Sequence, residues 1–272
     1  RFNYLNLKES LNYVKIGILT AHSVMNYGAF LQAYCLQEYL KSLGHAAEII
    51  NYPAWGFKLN PFFYFPRKLL IERGNLKDVF EYYRERNGFY KEYKKFLRVS
   101  APVSSLDAFF ESKPYEAVIL GSDEIWNIEN RNIGYVAAYF SHGIKAKKII
   151  SYATSFSTPN AIDNLPSEAL IALKRIQYLS VRDELSKRRL ESLSLSSVKC
   201  LDPTFLFDIK NFEKPLLRNE YTFLYFNNDK PEIQRKIREF SVREGLSLVS
   251  GGHAKTFCDL HVKYLSPFRW LG

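Results

Sequence analysis

The segment from Lys15 to Leu43 constrains the fold of this chain most strongly. It begins with a short apolar run, VKIGILT, which is too brief for a helix, and it passes through the polar loop AHSVMNYG. The following stretch has apolar residues at helical spacing and ends at Gly44, a typical helix stop. A strand therefore feeds a helix through a polar loop. In an open parallel sheet, such a loop faces the ligand crevice.

The same alternation of apolar runs and amphipathic stretches continues to about residue 207. Strands that alternate with helices are typical of a doubly wound parallel sheet, so we predict an α/β fold. The further predicted strands are His45–Tyr52, Tyr115–Leu120, Ala146–Ala153, Tyr178–Val181 and Val198–Leu201, and the helices are Ser104–Lys113, one opened by Pro166 and one from Asp183.

A polar segment around residues 207–219 separates a second, shorter alternation. It contains a predicted strand Tyr221–Phe226, a helix Pro231–Gly245 and a strand Leu246–Ser250. We therefore predict two domains, residues 1–212 and 213–272. One strand-helix-strand unit cannot bury a core alone, so the second domain is expected either to be incomplete in this chain or to pack on the first domain. The chain also begins with Arg1 rather than Met, and the natural N-terminus is expected to precede it.

Residues 57–100 form an insert in the first predicted domain that is rich in Phe, Tyr, Lys and Arg. Apolar residues at helical spacing predict two or three amphipathic helices. Such helices could lie on a membrane surface beside a lipid-linked substrate. The simpler alternative is a solvated charged face above an aromatic stripe that packs inward, and we prefer it.

The net charge of +10 favours anionic partners such as phosphorylated small molecules, membrane surfaces or nucleic acid. No zinc-finger spacing and no RNA-recognition signature accompanies the charge, so a nucleic-acid partner is disfavoured. The three cysteines are far apart and predict reduced thiols in a cytoplasmic protein. The five histidines lack metal-ligand spacing, so no metal site is predicted. Neither a membrane-spanning run nor a signal peptide is visible.

The loop after the first strand does not match a dinucleotide site. It has a single glycine, Gly28, where that fingerprint requires three, and the second strand ends in Ile50, Asn51 and Tyr52 without a carboxylate for a ribose. No Walker-type phosphate loop is present either. We therefore expect no nicotinamide or flavin cofactor.

A second candidate segment, Gly121–Asn127, follows the strand Tyr115–Leu120 at the same expected edge of the sheet. Gly121 allows close approach of a ligand, Ser122 and Asp123 offer polar groups, and Trp126 could stack on a sugar ring. Asp123 could accept a proton if its surroundings raised its pKa. The equally weighted alternative is that Ser122 or Asp123 caps the next turn while Trp126 packs in the core.

Arg182 directly follows the predicted strand Tyr178–Val181 and precedes Asp183 and Glu184. A guanidinium at the carboxyl end of a parallel strand suits bidentate binding of a carboxylate or phosphate. A salt bridge with a neighbouring acid is about equally compatible with this position.

Several segments taken in order resemble the polysaccharide pyruvyl transferase family and span most of residues 15–208. They are KIGILTAHSVMNYGAFLQAYCLQEYL, YEAVILGSDEIWN, KIISYATSFS, YLSVRDELS and VKCLDPTFLF. The resemblance implies two Rossmann-like domains in a GT-B-like arrangement. It also implies transfer of pyruvate from phosphoenolpyruvate to a pair of sugar hydroxyls as a ketal, in bacterial surface polysaccharide (exopolysaccharide) biosynthesis. The donor is then a substrate, and no cofactor is implied.

By analogy with that family, Arg182 is expected to bind the anion, Asp123 to act as the base, and Asn26, Tyr27 and Gly28 to position substrate. The enzyme would be cytoplasmic, and it would work at the inner face of the membrane if its oligosaccharide acceptor is lipid-linked. Family members carry a Phe-His-Gly type segment in the second domain, and this chain ends at SPFRWLG before one. Two alternatives therefore stay open: a GT-B glycosyltransferase with a nucleotide-sugar donor, and a non-catalytic sugar- or phosphate-binding module.

Overall fold

The structure is a computed structural model that describes residues 13–22, 24–52, 76–130, 133–159, 163–209, 217–225, 230–251, 255–262 and 265–271. The chain divides into two compact units. The first contains Arg1–Tyr64 and Lys94–Asp208, and the second contains Phe65–Tyr93 and Ile209–Gly272. The division after Asp208 lies close to the predicted one after residue 212. Within the insert, the described residues 76–93 belong to the second unit and residues 94–100 to the first; the predicted domain bounds stay a prediction.

A parallel sheet forms the centre of the first unit. Its strands lie in the order β2-β1-β3-β4. A short parallel pair, β5 and β6, continues from β4 through isolated bridges between Ile150 and Tyr178 and between Thr154 and Val181. Because β2 and β3 lie on opposite sides of β1, the strand order reverses there, and open α/β sheets bind ligands at such a point. The strands are β1 (Lys15–Leu19), β2 (Ala46–Ile49), β3 (Tyr115–Leu120), β4 (Ala146–Ser151), β5 (Ser180–Val181) and β6 (Val198–Lys199).

Helix α1 (Tyr27–Ser42) follows β1, as the sequence predicts, and packs against β2. The Asn26 side chain caps its first turn. The helix is buried around most of its circumference, more than the single apolar stripe in its sequence predicts. Phe30, Ala33 and Cys35, for example, have no exposed surface. The other helices are α2 (Leu76–Phe96), α3 (Leu106–Ser112), α4 (Ser167–Leu173) and α5 (Glu184–Ser192), with short 3-10 turns at Ala137–Phe140 and Pro203–Phe205.

The second unit has its own parallel sheet. Strands β7 (Tyr221–Leu224), β8 (Ser247–Gly251) and β9 (Leu260–Val262) lie in that order, and helix α6 (Pro231–Glu244) connects the first two. The sequence predicted this strand-helix-strand unit but not β9. Both units thus have parallel sheets connected by helices, which confirms the predicted α/β class.

The aromatic and basic insert contains one described helix, α2, with 21 residues. The sequence predicted two or three helices there, and residues 57–75 lie outside the described part of the chain. Phe89 and Tyr93 are buried, whereas Phe80 is 73% exposed. Among the described residues, no helix combines the length and apolarity needed to cross a membrane.

Candidate active site

A buried set of hydrogen bonds joins the ends of β1 and β3, where the strand order reverses. Thr20 follows β1 and its hydroxyl donates to the carbonyl oxygen of Ser122 at 3.0 Å. The Gln32 amide, from α1, donates to that same hydroxyl at 2.9 Å. All three side chains are buried. The loop that carries Ser122 and Asp123 is therefore held in place by groups from β1 and α1.

Asp123 is held in an unusual backbone conformation just after β3. Its φ of 84° is left-handed, a region that costs a non-glycine residue about 1–3 kcal/mol and that occurs preferentially at functional sites. Its carbonyl accepts from the Ser155 amide at 3.1 Å, and its own carboxylate accepts from the Glu124 amide at 2.9 Å. Burial raises the pKa of Asp123, and the hydrogen bond from the Glu124 amide and the charge of Arg182 oppose that rise.

Arg182 follows β5 and its guanidinium lies between two carboxylates. Nη2 is 3.6 Å from Asp123 Oδ1, and Nη1 is 3.6 Å from Asp202 Oδ2. Its main-chain amide donates to the Thr154 carbonyl at 3.2 Å. The side chain is 32% exposed and so can be reached by a ligand. The structure brings the two predicted catalytic residues together, and it also forms the salt bridge of the alternative reading, although with acids distant in sequence.

Asp202 completes this cluster and was not among the predicted site residues. Its Oδ2 accepts from the Ser122 hydroxyl at 2.8 Å, and its Oδ1 accepts from the amide and the hydroxyl of Thr204, each at 3.0 Å. One signal could have identified it. Like Asp123 and Arg182, it comes just after a predicted strand, and the carboxyl ends of parallel strands lie at one edge of the sheet.

The loop after Asp123 is held by a second polar network. The two carboxylate oxygens of Glu124 accept from the side-chain amides of Asn127 at 2.8 Å and Asn130 at 2.9 Å. Asn127 in turn accepts from the main-chain amide of Glu129 at 3.2 Å. These bonds fold the segment back on itself, which keeps Glu124 away from Arg182 and leaves Asp123 as the carboxylate of this loop that pairs with it.

Comparison with known proteins identifies the family of this chain. The family described as polysaccharide pyruvyl transferase matches residues 26–271. The chain belongs to the polysaccharide pyruvyl transferase family. The match includes both units and all residues of the cluster.

Solved structures give more remote similarities. The E. coli heptosyltransferase WaaC with ADP-2-deoxy-2-fluoro heptose is 14% identical with a TM-score of 0.42, covering 93% of this chain and 77% of that one. The Streptomyces sp. SF2575 glycosyltransferase SsfS6 is 13% identical with a TM-score of 0.34, covering 93% and 72%. No curated protein sequence matches the chain. The GT-B-like arrangement of the two units stays a prediction.

Trp126 lies in the hydrophobic core of this pyruvyl transferase family member. Its side chain has no exposed surface, its ring centroid is 5.1 Å from that of Phe156 and 6.4 Å from that of Phe140, and its indole nitrogen donates to the Tyr139 carbonyl at 2.8 Å. A ring without exposed surface cannot stack on a sugar. The prediction of a sugar-stacking Trp126 is therefore wrong, and the core alternative holds.

Gly121 and the start of α1 lie at the predicted strand ends, but the contacts of Gly121 differ from those expected of a ligand-binding glycine. A Cβ atom at Gly121 would lie 3.1 Å from Thr20 Cβ, so glycine here allows β1 and β3 to approach closely rather than making room for a ligand. Asn26 is exposed and its side chain accepts from the Ala29 amide at 3.0 Å. Gly28 is exposed and Tyr27 is buried. Their predicted contact with substrate stays a prediction.

His22 also lies at this edge, after β1, and is buried. One ring nitrogen lies 2.9 Å from the Thr20 carbonyl and the other 3.3 Å from the Asn51 side-chain oxygen. Burial lowers the pKa of His22, so the ring is neutral near pH 7. Within the described part of the chain, no group of three His, Cys, Asp or Glu residues could hold a metal ion.

Proposed function

We propose that this chain transfers pyruvate from phosphoenolpyruvate to two hydroxyls of a sugar, forming a cyclic ketal. Membership of the polysaccharide pyruvyl transferase family supports the transferase class. One observation carries the assignment to specific residues: the Asp123 carboxylate and the Arg182 guanidinium meet at the carboxyl edge of a parallel sheet, beside the point where the strand order reverses. The reaction needs both an acid/base and a cation for the leaving phosphate.

Arg182 would bind the donor. Phosphoenolpyruvate carries a carboxylate and a phosphate, and a planar guanidinium can bind either group with two parallel hydrogen bonds. The guanidinium is partly exposed, and its 3.6 Å distances to the flanking carboxylates are longer than hydrogen bonds. An incoming anion could therefore form shorter contacts than those present. As the phosphate leaves, Arg182 would stabilise its growing charge.

Asp123 would act as the acid and then as the base. Protonated Asp123 gives its proton to the methylene carbon of phosphoenolpyruvate, which leaves a cationic centre at the carbon that bears the phosphate. The first sugar hydroxyl adds to that carbon, and its proton returns to the Asp123 carboxylate. The carbon–phosphate oxygen bond then breaks, and its electron pair leaves with the phosphate. The second hydroxyl closes the ketal, and its proton goes to the phosphate. The direction of the Asp123 pKa shift suits this role, because burial favours the protonated carboxyl that the first step requires.

The acceptor proposed is an oligosaccharide of bacterial surface polysaccharide synthesis, free or lipid-linked, with the reaction on the cytoplasmic side of the membrane. The net charge of +10 supports an anionic donor and, for a lipid-linked acceptor, contact with an anionic membrane surface.

The test is phosphate release from phosphoenolpyruvate in the presence of a panel of free and lipid-linked oligosaccharides, using protein expressed from the complete gene. Mass spectrometry of the acceptor should show the added pyruvyl ketal. Asp123→Asn should lower kcat by about 10²- to 10⁴-fold, the usual contribution of an acid/base group. Arg182→Gln should raise KM for phosphoenolpyruvate. Asp183→Asn is the matched control, because the Asp183 carboxylate accepts from the Ser186 amide and caps α5.

Ligand-binding measurements on the same protein distinguish the two alternative functions. Protection against thermal unfolding by UDP or GDP, without protection by phosphoenolpyruvate, would support a nucleotide-sugar glycosyltransferase. Saturable binding of phosphoenolpyruvate or sugar without turnover would support a binding module. Turnover that survives in Asp123→Asn at the wild-type rate would refute the role given to this carboxylate.

A further inference from the structure

Asp202 lies where it can control both residues of the proposed reaction. Its two carboxylate oxygens have different tasks: Oδ1 accepts two hydrogen bonds from Thr204, and Oδ2 faces both Ser122 and Arg182. The Ser122 contact is 2.8 Å and the Arg182 contact 3.6 Å. The serine hydroxyl and the threonine together hold the Asp202 carboxylate in place and keep it from closing on the guanidinium.

Asp123 is held in a similar way on the other side of Arg182. The hydrogen bond from the Glu124 amide and the left-handed backbone fix its carboxylate, and its distance to Arg182 is also 3.6 Å. An Arg–carboxylate pair that is free to relax closes to about 2.7–2.9 Å. Two fixed carboxylates at equal distances therefore share one guanidinium, and neither forms a complete pair with it. Among the described residues, no side chain lies within hydrogen-bond distance of the Arg182 guanidinium.

We propose that Asp202 is a positioning residue that holds the Arg182 guanidinium away from full pairing with Asp123, so that Asp123 can carry a proton while Arg182 binds an anion. The inference rests on the proposed function, in which Asp123 is the acid/base and Arg182 the donor-binding cation. A complete pair between Arg182 and Asp123 would keep the carboxylate ionised and occupy the guanidinium. Both groups would then be lost to the reaction.

The charged and titratable groups around Asp123 are consistent with a protonated Asp123 beside a cationic Arg182. Glu124 and Asp202 are the anions that favour its protonated form, and Arg182 is the cation that opposes it. Tyr139, from the 3-10 turn, faces it as a buried neutral phenol whose own pKa is raised by burial and by the Asp123 charge. Because Glu124 is held by Asn127 and Asn130, the group that changes the Arg182–Asp123 pairing is Asp202.

Two variants should move the titration of Asp123 in opposite directions. Asp202→Asn removes the second carboxylate and lets Arg182 pair with Asp123, so the Asp123 midpoint should fall by about one pH unit. Ser122→Ala removes the hydroxyl that holds Asp202 Oδ2, so Asp202 can close on Arg182. The Asp123 midpoint should then rise by about half a unit. Asp183→Asn removes a nearby charge that caps a helix, and it should leave the midpoint unchanged.

The primary measurement is a titration of carboxyl carbons by NMR, with the Asp123 signal assigned by its loss in Asp123→Asn. This readout does not depend on turnover. The second is the pH dependence of kcat for phosphate release, whose limb set by Asp123 should shift in the same directions. Circular dichroism at each pH checks that the variants are folded, and Ser122→Ala provides the test on its own if Asp202→Asn does not fold.

The outcomes separate this inference from the proposed function. Opposite shifts of the Asp123 midpoint without any phosphate release would support the positioning role and refute pyruvyl transfer. Turnover of phosphoenolpyruvate with an unmoved midpoint in both variants would overturn the positioning role and leave the function standing. Shifts of the same sign in both variants, or a shift in Asp183→Asn as large as in Asp202→Asn, would also overturn it.

Discussion

Replacing Trp126 by Phe tests whether this residue belongs to the core or to a sugar site. The substitution removes the indole N–H that donates to the Tyr139 carbonyl at 2.8 Å, inside a region where both side chains are buried. Leaving that carbonyl without a donor costs about 1–3 kcal/mol. The smaller ring also gives up roughly 40 Å² of buried apolar surface, about 1 kcal/mol. We expect a loss of about 2–4 kcal/mol in the free energy of unfolding.

The assay is urea unfolding followed by circular dichroism, with a thermal scan on the same samples. A loss of this size should lower the Tm by about 4–16 °C for a unit of this length. Tyr135→Phe is the matched control, because it also deletes one aromatic donor near Phe140 but the Tyr135 hydroxyl donates to Glu168 at an exposed site. It should change stability by less than about 1 kcal/mol.

The opposite result would refute the core assignment. If Trp126→Phe unfolds at the wild-type urea concentration but has a raised KM for the sugar acceptor, the ring contacts substrate. The packing with Phe140 and Phe156 would then not describe the working enzyme.

Three further predictions concern the edge of the sheet where the site lies. Asn26→Ala should cost about 1 kcal/mol, because the side chain caps α1; lost turnover at an unchanged Tm would instead show substrate contact. Acidification should destabilise the chain through His22, because burial lowers its pKa in the folded state while the unfolded chain takes up a proton below about pH 6.5. Urea midpoints should therefore be level above that pH and fall below it, less steeply in His22→Gln. Gly121→Ala should cost about 1–3 kcal/mol, because its Cβ would lie 3.1 Å from Thr20 Cβ, whereas Gly88→Ala, in open space on α2, should gain up to about 1 kcal/mol in thermal scans.

Local patterns predicted most strands and helices of the described chain. Tyr115–Leu120 was predicted with the bounds that β3 has, because six residues of high apolar content end sharply at a glycine. The strand at Tyr178–Val181 is shorter in the structure, since only Ser180 and Val181 pair regularly with β6. Strand β9 was missed because LHV has only three residues, and its central residue, His261, is polar. Its place beside β8 is set by long-range contacts, among them Asp259 Oδ2 to the Leu248 amide at 2.8 Å.

The candidate site was predictable in part, because local patterns also show where each predicted strand ends. Residues that directly follow parallel strands meet at one edge of the sheet, so Asp123 and Arg182 could be expected to be neighbours. The sequence contains no comparable signal for how deeply a side chain in such a loop is buried. Trp126 and Asp123 are three positions apart in one loop, yet one is fully buried in the core and the other reaches Arg182. The position of Asp202 after a predicted strand places it at this edge, but its hydrogen bond to Ser122 spans 80 residues, and no local pattern encodes that contact.

The backbone at the strand ends explains why this loop carries the acid/base candidate. Asp123 after β3 and Ala153 after β4 both have a positive φ, 84° and 52°, although neither is glycine. The two ends are joined by the bridge between Asp123 and Thr154 and by the hydrogen bond from the Ser155 amide. A conformation that costs energy at two adjacent strand ends persists only where surrounding contacts fix it. Those contacts fix the backbone that carries the Asp123 carboxylate, and the Glu124 amide holds the carboxylate itself. The Asp123 side chain is largely buried, which raises its pKa, and the 20% that stays exposed leaves it accessible to a substrate.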